Sequence, residues 1–154
     1  MVEDLTQWLR AQLDEDERIA RAATRGPWVQ SGIGDYGWTV DFGHPGSGVE
    51  TADTDQGLAD ADFIAAHNPA RVLREVETDR ELLAEYERVM TAHEAHQREA
   101  ARLDEQGDDD PIRRAALRRE ADYLPAMLHV LERWAKRKAA VYADRPGYRE
   151  EWRP

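Results

Sequence analysis

The sequence predicts an α+β fold: an N-terminal helix, a small antiparallel β-meander, then a long antiparallel helical hairpin with a docked C-terminal tail. Three observations carry this. Apolar residues recur at three- and four-residue spacing near the N-terminus and again through most of the second half of the chain. Seven of the ten glycines fall between Gly26 and Gly48, among short β-like runs. Asn68-Pro69 and Asp110-Pro111 punctuate the helical pattern, and each pairs a capping residue with the proline that suits a first helical position.

The first helix is expected over 1–25. Leu5, Trp8, Leu9, Leu13, Ile19, Ala20 and Ala23 fall on one side of it, and Gly26-Pro27 end it. Asp14, Glu15, Asp16 and Glu17 form an acidic cluster, but neighbouring helical side chains point in different directions, so the cluster reads as a solvated face.

Residues 27–56 read as a sheet of two or three strands: PWVQS, YGWTVDF and GVETA, separated by Gly, Asp and Pro. Such a sheet needs three strands or a helix against it. Trp28 and Trp38 are expected on its inner face, covering the helices. Gly32, Gly34 and Gly37 have the G-x-G-x-x-G spacing of a phosphate loop. That spacing has meaning between a buried strand and a helix. Here a strand-like run follows it, so a hairpin turn is expected.

Residues 51–57 read as polar linker and 58–67 as a short helix, stopped because Pro69 pushes Asn68 out of the α region. The helix over 69–106 carries Val72, Leu73, Val76, Leu83, Tyr86 and Met90 as its stripe, and becomes polar beyond about His93. Gly107 can close it. The helix over 111–143 carries Ile112, Leu117, Leu124, Leu128, Leu131, Trp134, Ala135 and Val141, with a kink or break expected at Pro125. In the tail, 144–154, Tyr148 and Trp152 are expected to join Tyr142 in anchoring it to the body. One domain spanning 1–154 is expected from the length.

Composition bounds the function. The absence of cysteine excludes disulfides and thiolate metal sites. No apolar run approaches the roughly 20 residues of a membrane span. The acidic N-terminus is unlike a signal peptide, so a cytoplasmic location without membrane partners is expected. The net charge of −11 divides into −16 over residues 1–111 and +5 over 112–154. The acidic excess argues against nucleic acid, which is bound through phosphate neutralisation. The basic residues 113–138 keep an anion or nucleic-acid face as a third reading.

Candidate sites are few. His93 and His96, at i and i+3, are candidate metal ligands, but zinc needs more than two and no metal or other cofactor is expected. Trp28, Trp38 and His67 are the ligand-binding candidates, around a pocket between sheet and helices. His67 also reads as a cap at a helix C-terminus. No nucleophile, base and oxyanion donor come together, so no catalytic residue is assigned.

Three blocks, DLTQWLRAQLDEDERIARAATRGPW, DADFIAAHNPARVLREVETDR and YADRPGYREEWRP, together resemble a family of small actinobacterial and actinophage proteins of unknown function. The GPW and FIA-x-x-NPA elements are also similar to a wider set of phage accessory proteins. The resemblance implies no transferable site residues. The expected function is therefore a non-enzymatic protein-binding module, with a homodimer through the long helices as one form. The alternative is a small-ligand-binding protein or enzyme.

Overall fold

A computed structural model describes residues 2–107 and 110–154. The chain is α+β. Helix α1 (Val2–Ala22) leads into strands β1 (Val29–Ile33), β2 (Trp38–His44) and β3 (Ser47–Glu50), followed by helices α2 (Asp55–Ala66), α3 (Pro69–Gln106) and α4 (Pro111–Val141). A 3₁₀ turn, Glu150–Trp152, lies in the tail. The strands form an antiparallel meander in the order β1-β2-β3. Contacts divide the chain into two compact units, residues 1–12 with 80–154, and residues 13–79.

In the 13–79 unit, β2 is the central strand and Val40 is fully buried. Irregularities between Gln30 and Gly32, and between Asp41 and His44, bend the two ladders. The glycine-rich stretch is a turn, not a phosphate loop: Gly34 donates its N–H to the Gly37 carbonyl at 2.7 Å, joining β1 to β2. Trp28 and Trp38 are both half-buried. Trp28 stacks on Phe42 with ring centroids 4.1 Å apart and donates Nε1–H to the Thr24 carbonyl. Trp38 donates Nε1–H to the Thr54 carbonyl.

Helix α2 begins three residues before the expected start. Thr54 caps it, its hydroxyl accepting the Gly57 N–H at 2.9 Å. Thr51 then ties strand to helix: its N–H goes to the Trp38 carbonyl and its hydroxyl to the Gly57 carbonyl. Gly57 has no room for a side chain, since a Cβ there would overlap the Ala52 carbonyl. At the next junction Asn68 behaves as its chemistry requires, its Oδ1 accepting the Arg71 N–H. The acidic cluster of α1 is ordered by its own helix, with Arg18 on Glu15 and Arg21 on Glu17.

In the other unit, Leu5 and Leu9 of α1 are buried together with Leu83, Tyr86, Val89 and Leu103 of α3 and with Leu124, Ala135 and Ala139 of α4. Two of these differ from the expected stripe: Val89 is buried where Met90 is half-buried, and Leu103 lies in the half of α3 that reads as polar. That half packs on α4. The His96 ring nitrogen Nδ1 meets the Glu120 carboxylate at 3.1 Å, which links this half of α3 to the first half of α4. Gly107, at φ +63°, ends α3 in the left-handed conformation that glycine adopts without strain. Asp110 opens α4, its carboxylate accepting the Ile112 and Arg113 N–H groups. Helix α4 is continuous through Pro125.

The tail returns to α1. Trp152 is buried, with its ring 5.2 Å from that of Trp8. Tyr142 and Tyr148 approach the same indole. Trp8 donates Nε1–H to the Pro146 carbonyl, and Arg149 pairs with Asp4 at 3.1 Å. Among the described residues, the Trp152 Nε1–H is the buried side-chain polar group with no hydrogen-bond partner.

Two predictions follow from this packing. Trp152→Ala should lower the unfolding free energy by about 3–5 kcal/mol in urea titrations. Trp152→Phe should cost far less, because it keeps a ring and removes an unsatisfied donor. The second prediction concerns Tyr86. Burial, with Glu132 adding to it, pushes its hydroxyl pKa from 10 up to about 12. The folded state therefore holds a proton that the unfolded state loses first. Its contribution is intact below pH 10 and is lost as pH rises toward about 12. Denaturation of wild type and Tyr86→Phe across that range should show the steeper loss in wild type.

Candidate functional site

Helix α4 carries more apolar surface than its packing uses. Leu124, Ala135 and Ala139 face inward and are buried. Ile112, Tyr123, Met127, Val130 and Val141 are not: they are 79%, 49%, 38%, 65% and 66% exposed. At about 100° per residue these five fall within a sector of roughly 60°. That sector lies roughly 120° round the helix from the buried one. Ala116 and Trp134, half-buried, continue the line. From Ile112 to Val141 the stripe runs about 44 Å at 1.5 Å per residue. The sequence expectation placed Ile112 and Val141 in the core stripe. They belong to this second, outward stripe, and Tyr123, Met127 and Val130, which that expectation did not single out, are its centre. The available signal was the four- and three-residue alternation through positions 123, 127, 130 and 134.

The basic residues in the second half of α4, with Arg119, differ in their partners. Lys136 pairs with Glu132 at 3.2 Å and Lys138 lies over the Tyr142 ring. Arg119, Arg133 and Arg137 are exposed and have no ion pair among the described residues. They lie roughly 40–80° to one side of the apolar stripe. Asp122 is on the same flank, which leaves it net positive. An apolar strip bordered on one side by uncompensated guanidinium groups can bury against another apolar surface and pair with carboxylates beside it.

The other candidates are held locally. His67 is the C-cap of α2: its N–H and its ring Nδ1–H both go to the Phe63 carbonyl, and its ring stacks on that of Phe63 at 4.0 Å. Trp28 and Trp38 have the partners given above. A groove of about 510 Å³ lies along Ala20, Ala23, Pro69, Ala70 and Leu73, with Arg21 and Arg25 at its edge. His93 and His96 are both half-buried on α3, and His96 is engaged by Glu120. Among the described residues no three His, Asp or Glu side chains group as metal ligands would. Among the same residues, no helix is long and apolar enough to cross a membrane.

The fold and surface thus define an α+β protein with a long helical hairpin. The family of unknown function DUF6221 matches residues 2–154, and the chain belongs to that family. No curated protein and no solved structure matches it.

The division of α4 into inner and outer faces predicts opposite costs for similar truncations. Leu124→Ala should destabilise by about 2–5 kcal/mol. Val130→Ser should shift stability by no more than about 0.5 kcal/mol, since exposed positions away from caps and pairs contribute little. Equilibrium unfolding of the two variants measures both.

Proposed function

We propose that the chain is a non-enzymatic protein-binding module that docks its partner on the outer face of α4. The observation that carries this is the exposed stripe of Tyr123, Met127 and Val130, extended by Ile112 and Val141. A row of large exposed apolar side chains of this kind is the feature by which protein-interaction surfaces are recognised. The three resembling sequence blocks favour an actinobacterial or phage accessory protein acting in the cytoplasm. A second copy of the chain, paired through the long helices, is one occupant this reading admits.

A second reading, a small-ligand-binding protein or enzyme, is favoured by the groove beside Ala20 and Leu73. Its volume lies within the roughly 300–1,000 Å³ of ligand sites, and its apolar wall ends at Arg25, which has no ion pair among the described residues.

The chain contains no cysteine, so a single introduced one can be labelled alone. A photo-crosslinker on Val130→Cys, irradiated in cells that carry the protein, should give a discrete protein adduct that the same label on Val29→Cys does not. Val29 is also exposed, but lies on the sheet. Equal labelling at both positions, or no adduct at position 130, would contradict docking on α4, and the second reading predicts the latter.

A further inference from the structure

We propose that the partner presents an acidic amphipathic helix, its apolar side seated on Tyr123, Met127 and Val130 and its carboxylates paired with Arg119, Arg133 and Arg137; this rests on the docking reading above. The shape of the surface selects a helix. An apolar row unbroken from Tyr123 to Trp134 and resumed beyond Arg119 and Arg137 at its two ends matches the apolar face of a helix, and alternating spacings of four and three residues are those of helices packed side by side. Loops and sheet edges offer no such periodic row.

The charges select its sign. Arg133 and Arg137 are one turn apart and Arg119 stands about 21 Å further toward the N-terminus of α4. All three are exposed and lack an ion pair among the described residues. A partner with Glu or Asp beside its apolar row supplies carboxylates along that flank, and guanidinium groups take them in two parallel hydrogen bonds. The chain as a whole is at −11, which slows the approach of an acidic partner. That field is screened beyond about 8–10 Å, so contact is governed by the local flank.

A second copy fits less well. In an antiparallel pair of helices the same flank of each meets the other. Two α4 helices joined through this stripe would therefore set Arg119 of one beside Arg133 and Arg137 of the other. Six guanidinium groups would line one seam with only Asp122 from each chain to offset them. Like charges so placed oppose pairing.

The test uses the full chain and two synthetic amphipathic peptides of about 28 residues, long enough at 1.5 Å per residue to cover most of the stripe. Both carry Leu at the apolar positions; one has Glu and the other Lys at the flanking positions. Fluorescence anisotropy should show the Glu peptide binding about tenfold tighter or more at low salt, the difference shrinking as salt screens the pairs. Joint substitution Arg119→Glu, Arg133→Glu and Arg137→Glu should invert the preference while circular dichroism stays unchanged. Val130→Asp should weaken both peptides. Equal affinities, failure of the Glu peptide to bind, or a preference that survives the triple reversal would overturn the acidic-helix proposal. If the adduct at position 130 still forms with another protein, the docking reading stands and its partner is of a different kind. If that adduct is the chain itself, and sedimentation shows a dimer lost in Val130→Asp, the occupant is a second copy and the proposal is wrong.

Discussion

Burial of the α4 face that carries Leu124, Ala135 and Ala139 is the interaction on which residues 80–154 depend. Those positions face the same interior as Leu83, Tyr86, Val89 and Leu103 of α3. Two of the three α4 residues are alanines, so that face contributes little volume. Larger side chains supply the rest: Tyr86 from α3, and Trp152 from the tail. The tail is therefore part of the core. Its turn at Gly147 brings backbone against the Trp8 indole, where a Cβ would come within 2.8 Å of Nε1. With the inner face settled in this way, the outer stripe is left over from folding and is available for another use.

The polar interactions divide along the same line. Arg10 pairs with Glu87, Arg149 with Asp4, and Arg145 lies over the Tyr142 ring at 4.5 Å. The two ion pairs hold the tail and α1 in place at partly exposed positions, where each is worth little alone and the set gives direction more than stability. Arg119, Arg133 and Arg137 take no part in that set. They have no ion pair among the described residues.

Much of the architecture could be read from local chemistry. Asn68-Pro69 and Gly107 each impose a backbone conformation on their own, so the ends of α2 and α3 follow from single residues. The glycine-rich meander was legible for the same reason. The start of α2 was not, because Asp55 and Gln56 are polar and the helix depends on Thr54 capping through the Gly57 N–H. Leu103 was hidden in a charged stretch, since one apolar residue makes no periodic pattern; only the approach of α4 buries it. The outer stripe was harder still. Ile112 and Val141 are as apolar as the core residues, and a helix with two apolar sectors gives a weak single-face pattern. Which sector packs inward is decided by the partner helix, and that information lies in α3. His67 was legible as a cap; the engagement of His96 by Glu120 across the hairpin was not, since its partner lies 24 residues away.

The central claim is that Tyr123 and Met127 face solvent while Tyr86 and Tyr142 hold the interior. Hydroxyl-radical footprinting of the isolated chain, read by mass spectrometry, measures this directly because Tyr and Met both react in proportion to access. The account predicts rapid modification of Tyr123 and Met127 and strong protection of Tyr86 and Tyr142. Protection of Tyr123 and Met127 equal to that of Tyr86 would contradict it.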